Sequence, residues 1–398
     1  MGHGHSHGPA PEVEVSTTAR TALIVFLAAT GIAALIGMLL LWPSRADLDA
    51  AANPIYDAPG VTYEDAVLQE IDEGCAEVDP SIACYTATVE VTTGEGAGDV
   101  AEVQLQAAQA QSGLQVGDVI EVARVPSGDQ VFYSYTGTNR LPVLAVLMVL
   151  FVIAVVAVAR WKGLFAMVGL AVAAFVLAGF MLPALIVGAP GMAVALAGST
   201  AIMFVVLYVA HGISIRTSTA LAGTLLGLVF TTALGSAAVY AARLSGFAEE
   251  TEYDLAQVVP GLDFQELLIS GIIIGGLGVL NDVTITQSSA VWELRAAAPN
   301  LSRMEIFAAG MRIGRDHIAS TIYTIVFAYA GGALTILLLL YFSNRGGLDL
   351  FGVEMFASEA VRTLASAIGL VLSVPITTGI AAITVGGATE PEPASAAA

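Results

Sequence analysis

Eight stretches of the chain are almost unbrokenly apolar, at residues 19–42, 141–159, 164–187, 192–210, 219–241, 266–286, 317–341 and 361–385. Each is close to the roughly 20 residues a helix needs to cross the hydrocarbon of a bilayer, and each predicts a transmembrane helix. Between the first and the second the period changes. From Tyr85 the residues alternate, as YTATVEV, VAEVQLQ, VGDVIEVARV and QVFYSY, with Gly-Asp and Ser-Gly turns between them. That alternation predicts four or five short strands. Residues 43–80, rich in Ala, Asp, Glu and Pro, read as loop with one helix near 63–73. The expected fold is an all-α polytopic membrane bundle of about eight helices, with a small β-rich, OB-like domain between its first and second spans. In chain order this gives a cytoplasmic tail (1–18), one span (19–42), an outer domain (43–139), a seven-helix membrane domain (141–385) and a disordered tail (386–398).

Composition agrees with the pattern. Hydrophobic residues make up 56% and charged residues 12%, about half the charged share of a soluble domain. The first run is too long for a cleaved signal peptide, and no small-x-small site follows it. Basic residues then set the orientation. Arg20, Arg160, Lys162, Arg216, Arg295, Arg303, Arg312 and Arg315 fall on one side of the membrane, in short loops. Arg45, Arg124, Arg140, Arg243, Arg345 and Arg362 fall on the other. The first set marks the cytoplasm and places both termini there. Residues 43–139 hold 17 Asp+Glu against 2 Lys+Arg, so −15 of the chain's −20 lies outside. Such a surface excludes nucleic acid as a partner.

Cys75 and Cys84 are the two cysteines, both in the outer domain. Outside the membrane they are expected to close a disulfide; a redox or metal pair is the weaker reading, because neither CxxC spacing nor a nearby histidine supports it. At the N-terminus His3, His5 and His7 alternate with small residues. Neutral imidazoles so spaced suit Zn, Ni or Cu, although three histidines on a flexible tail can equally be incidental.

The chemistry gathers in residues 271–293, where a glycine-rich apolar helix turns polar. Asp282, Thr286, Ser289 and Glu293 fall within about 60° on a helical wheel. A carboxylate at membrane depth costs several kcal/mol unless it is paired or wetted, which makes this stripe the leading site candidate. Gly271, Gly275, Gly276 and Gly278 precede it; they suit close helix packing or, with Pro260–Gly261 and Asn281, a broken helix. Further along, Arg312, Arg315, Asp316 and His317 crowd the inner mouth of the next span, followed on one face by Ser320 and Thr324 with Thr321 beside them. An interfacial belt with Arg315 paired to Asp316 accounts for the arginines but less well for the hydroxyl row. If the two helices line one path, Arg315 is the expected partner of Glu293, and Asp282 is expected to face Thr321 or Thr324. His211 and Arg216 read as topology-setting charges.

No P-loop, G-x-S-x-G, H-E-x-x-H or dinucleotide fingerprint is present, and Ser288–Ser289 have no activating base at helical spacing. Neither an enzymatic activity nor a cofactor is expected.

The order of parts, together with GISIRTSTALAGTLLG, GGLGVLNDVTITQSSAVWEL and GMRIGRDHIASTIYTIVFAYAGGAL, resembles the YibE/F-like family of bacterial multipass membrane proteins. The resemblance implies a location in the bacterial plasma membrane and this architecture, and it leaves activity open. Asp282–Val283 match the family's sixth-span motif, whereas Thr284–Ile285–Thr286 and Trp292–Glu293 depart from it. Two functions remain in view. One is a transporter or permease that moves a cation or small solute past Asp282, Glu293 and the Asp316–His317 row. The other is a non-transporting scaffold whose acidic outer domain docks envelope proteins or binds Ca²⁺. The expected partners are the lipid bilayer, a small cation or solute, and further copies or related membrane subunits in an oligomer.

Overall fold

The computed structural model describes residues 13–51, 60–74, 84–128, 130–248, 250–342, 346 and 348–388. The chain forms two compact units, one spanning Pro54–Val158 and the other Met1–Asn53 with Ala159–Ala398. His3, His5, His7 and Cys75 lie outside the described residues.

Helix α1 (Thr17–Leu41) and the short α2 (Arg45–Ala51) come first. The smaller unit follows with β1 (Thr62–Glu73), β2 (Cys84–Val91), β3 (Val100–Gln106), the single-turn helix α3 (Ala107–Ala110), β4 (Val119–Ser127) and β5 (Gln130–Thr138). The strands make one antiparallel sheet in the order β3-β2-β1-β4-β5. Its edge strands β3 and β5 approach each other, so the sheet nearly closes.

The helix expected near 63–73 is not formed, and β1 is instead the central strand. Its Glu, Ala, Leu and Gln content favours a helix locally. Yet Glu64, Ala66 and Leu68 alternate with more exposed neighbours, and their side chains are buried. Once β2 and β4 supply pairing on both sides, burial of this face outweighs propensity. Ala66 and Leu68 join Ala87, Val89, Val103, Leu105 and Ile120 in the core. Glu64 is buried beside them and, among the described residues, forms no ion pair. Its carboxylate accepts from Thr62 Oγ1 at 2.8 Å, Glu95 N at 3.0 Å and Gly96 N at 3.2 Å, a nest of backbone amides that satisfies the charge. Nearby, Tyr133 donates to Asp99 at 2.6 Å. Burial, then the Asp99 carboxylate, pushes the Tyr133 phenol up to about 12. Cys84 is disulfide-bonded.

Helix α4 (Leu141–Val176) contains a break at Arg160, whose φ of 53° and ψ of −134° leave helical space. The expected spans 141–159 and 164–187 are its two arms, the second prolonged by a π-helical turn (Leu177–Met181) and α5 (Leu182–Ile186). Then come α6 (Gly191–His211), α7 (Ile215–Ala241), α8 (Glu250–Val258), α9 (Phe264–Ala297), α10 (Arg303–Gly332), α11 (Leu334–Phe342) and α12 (Glu354–Thr384). Among the described residues six helices are long and apolar enough to cross a membrane: α1, Leu141–Ile186, α6, α7, α9 and α12. The expected span 317–341 is divided at Ala333, after Gly331–Gly332, between α10 and α11.

In the larger unit α7, α9 and α12 pack on one another, α6 and α10 flank α9, and α1 lies on α6. The α7–α12 seam is built from glycines facing hydroxyls: Gly223 against Thr377, Gly227 against Ser373, Gly369 against Thr231. A Cβ at any of these glycines would overlap the opposing oxygen. Two of the three hydroxyls are satisfied by their own helix, as Thr231 donates to Gly227 O at 3.0 Å and Ser373 to Gly369 O at 2.7 Å. Small residues let the backbones approach closely where lipid offers helices no hydrophobic drive to associate. Carboxylates tie the ends. Glu266 accepts from Met192 N at the start of α6, 2.7 Å, and Glu354 from Gly246 N, 2.8 Å.

Candidate functional site

Helix α9 runs unbroken through Asn281, so the broken-helix reading of its glycines does not hold. The helix carries polar residues on two opposite sides. One side faces inward: Thr284, Gln287 and Ser288 are fully buried. Thr284 and Thr224 of α7 share a hydrogen bond of 2.6 Å, and Ser288 donates to Arg216 O at 2.7 Å. Thr378 of α12 gives its proton to Val374 O, 2.7 Å, so the Gln287 amide nitrogen donates to Thr378 Oγ1 at 3.0 Å and to Gly310 O at 3.3 Å. A Cβ on Gly314 of α10 would come within 2.9 Å of that amide. These contacts fix α7, α10 and α12 around α9.

The opposite side is the predicted stripe. Gly275, Gly278, Asp282 and Glu293 are exposed, and Gly271, Thr286 and Ser289 are half-buried. Among the described residues, and outside the helix's own adjacent backbone, no atom lies within 4 Å of where a Cβ would stand on Gly271 or Gly278. On this side, therefore, those two glycines are not filling a contact within the chain; Gly276, turned inward against Thr231, does so.

Helix α10 brings His317 to the stripe, with Nε2 3.7 Å from Asp282 Oδ2. Asp282 lies near the middle of α9 and its side chain is 65% exposed; that of His317 is 26% exposed. Among the described residues two buried atoms lack hydrogen-bond partners here, His317 Nε2 itself and Oδ1 of Asn281, the residue before Asp282. Unsatisfied buried polar atoms are rare and cluster where chemistry or binding occurs. Thr286 Oγ1 is turned back to Asp282 O, 2.7 Å, Thr321 Oγ1 to His317 O, 2.9 Å, and Thr324 Oγ1 to Ser320 O, 3.3 Å.

The expected partners therefore change. Asp282 faces His317 rather than Thr321 or Thr324. Glu293 meets Arg216, Nη1 to Oε1 at 4.0 Å, rather than Arg315. Among the described residues Arg315 and Asp316 form no ion pair, with each other or elsewhere. The cause is register. α9 and α10 are antiparallel, with 282 level with 317 and 287 level with 310–314. Arg315 is thus roughly eight residues, or ~12 Å, out of level with Glu293. That register was available from the chain, because the short turn at 298–302 folds the two helices about residue 300 and sets 282 opposite 318. The inward polar face was also readable, since Thr284, Gln287 and Ser288 share one side of the wheel.

Among the described residues no group of three or more His, Cys, Asp or Glu is placed to hold a metal ion. A family model described as YibE/F-like protein matches residues 147–387. No curated protein and no solved structure matches the chain.

Proposed function

The chain belongs to the YibE/F-like family, and we propose that this membrane protein is a transporter or permease for a cation or small solute, working through the carboxylate face of α9. One observation carries the reading. A carboxylate near the middle of a span-length helix sits on an exposed stripe of glycine and polar residues, with an imidazole from a second helix 3.7 Å away. An anchor has no use for a charge at that depth, whereas a solute path needs one. Asp282 is then the binding carboxylate, His317 its partner, and Thr286 and Ser289 line the way toward Glu293 and Arg216. Asp316, Ser320 and Thr324, exposed on α10, belong to the same polar surface.

The positive-inside pattern supports a plasma-membrane protein with both termini in the cytoplasm. A cysteine at Ser127 should then react with an impermeant maleimide in intact cells, and one at Ser302 only after lysis. For the outer unit we infer an OB-like barrel. Its support is the five-stranded, nearly closed antiparallel order β3-β2-β1-β4-β5 with α3 between β3 and β4. The strong acidity of that unit supports the second reading, a scaffold that docks envelope proteins.

Ion flux into liposomes holding the purified protein separates the two. Transport predicts flux above empty liposomes that Asp282→Asn abolishes. Flux no greater than that of empty liposomes in either favours the scaffold, and equal flux above that level in both removes Asp282 from the path.

A further inference from the structure

Resting on that reading, we propose that the coupling ion is the proton, and that Asp282 and His317 hold and pass it between them. A metal cation is poorly served here. Zinc sites use four ligands, three of them protein groups even when catalytic, and calcium takes six to eight oxygens. Asp282 and His317 offer one carboxylate and one imidazole, and among the described residues no third such group joins them. The nearest stripe hydroxyl, Thr286 Oγ1, is drawn to the helix backbone at Asp282 O. The stripe itself is a row along one helix rather than a ring around a point. Two acid–base groups facing each other across 3.7 Å are what a proton requires.

The surroundings leave the pair to itself. On α6 the titratable groups are Tyr208, whose hydroxyl shares a hydrogen bond with Ser218, and His211 at the inner end; on α7 they are Arg216 and Tyr240, at opposite ends. On α12 they are Glu354, Glu359 and Arg362, all in its first third. On α11 it is Tyr341. On α9 itself Glu266, Glu293 and Arg295 are more than two turns away. On α10 Asp316 is the next residue, exposed, with Arg312, Arg315, Tyr323 and Tyr329 along the same helix. None of these is in an ion pair with Asp282 or His317 among the described residues.

The exchange balances as follows. Neutral His317, its ring proton on Nε2, takes a proton from hydronium onto the lone pair of Nδ1 as the hydronium O–H bond breaks, becoming an imidazolium whose Nε2–H faces the Asp282 carboxylate. The Nε2–H bond then breaks as an Oδ2–H bond forms, leaving a neutral imidazole and a neutral carboxylic acid. Asp282, the more exposed of the two, releases the proton to water at the exposed stripe and regains its charge. One proton has moved; the carboxylate is restored, and the imidazole returns to its first tautomer when the Nδ1 proton is exchanged with water for one on Nε2 or the ring turns over. The separation of 3.7 Å exceeds a good hydrogen bond by about 0.7 Å, so a small side-chain movement opens or closes the step.

The test needs no knowledge of the solute. Purified protein in liposomes is adsorbed on a solid-supported membrane, and an abrupt drop in pH is applied. We expect a transient charge displacement from proton binding in wild type. It should be lost in Asp282→Asn and in His317→Gln, returned in part by Asp282→Glu, and unchanged in Glu359→Gln. A sodium jump at fixed pH should give none. Only variants that elute as wild type by size exclusion are compared, and Asp282→Glu keeps the question open to answer if the neutral variants misfold. No transient in wild type, or one that both neutral variants retain, overturns the proton assignment. A transient evoked by sodium and lost in Asp282→Asn also overturns it, while leaving transport standing. A proton transient of the expected pattern without any flux would leave the assignment standing and remove transport instead.

Discussion

Residues 141–158 of α4 and the outward stripe of α9 are both open, yet they expose opposite chemistry. The α4 arm presents Leu147, Val149, Leu150, Phe151 and Ile153, each about half exposed. It is apolar all round, as suits a helix surrounded by acyl chains. On α9 the exposed residues before its last turn are Gly275, Gly278, Asp282 and Glu293, while the leucines and isoleucines of the helix are turned into the core. An open surface in a membrane protein is therefore not one thing. Where it is made of leucine and phenylalanine, lipid completes it. Where it is made of glycine and carboxylate, water or other protein must.

The largest effect expected from this contrast comes from exchanging the chemistries. Val149→Asp places a carboxylate in the middle of the α4 arm and should cost about 3 kcal/mol, read as loss of membrane insertion and yield. If the stripe is the solute path proposed above, Asp282→Leu should give no matching gain in thermal stability in detergent or lipid. A stabilisation comparable with the loss at Val149 would mean that Asp282 also points at acyl chains, and the site would be lost with it.

Glycines sharpen the comparison at a smaller scale. Gly369 sits against Thr231 in the α7–α12 seam, whereas Gly278 has nothing within 4 Å. Gly369→Val should destabilise by about 1–3 kcal/mol through overpacking. Gly278→Val should cost nothing measurable in the melting temperature of the isolated chain. If both melt alike, the stripe glycines are packed against something that the chain itself does not supply.

How far the sequence led can be judged at particular residues. The apolar runs and the strands from Tyr85 onward were legible because their periods are long and clean, and Asp282 stood out because charge in an apolar helix is costly. β1 was not legible. Its composition is that of a helix, and only pairing on both edges makes it a strand. The break at Arg160 depends on a single left-handed residue with no glycine or proline to announce it. The pairing of Asp282 with His317 rather than Arg315 lay within reach, since it follows from the short turn at 298–302, but it required counting levels on two antiparallel helices instead of matching charges by sign.

That pairing sets the smallest effect. Arg216 and Glu293 stand 4.0 Å apart with side chains 42% and 79% exposed, so the attraction is screened and the long side chains lose entropy in holding it. A double-mutant cycle of Arg216→Ala with Glu293→Gln should give coupling of about 0.2–1 kcal/mol. The same cycle with Arg315→Ala should be additive to within roughly 0.5 kcal/mol, because the two groups are ~12 Å apart along the helix axes. Stronger coupling to Arg315 than to Arg216 would mean that α9 and α10 slide by two turns from the register described. Asp282 would then lose His317, and the difference between the α9 stripe and the α4 surface would no longer rest on a built pair.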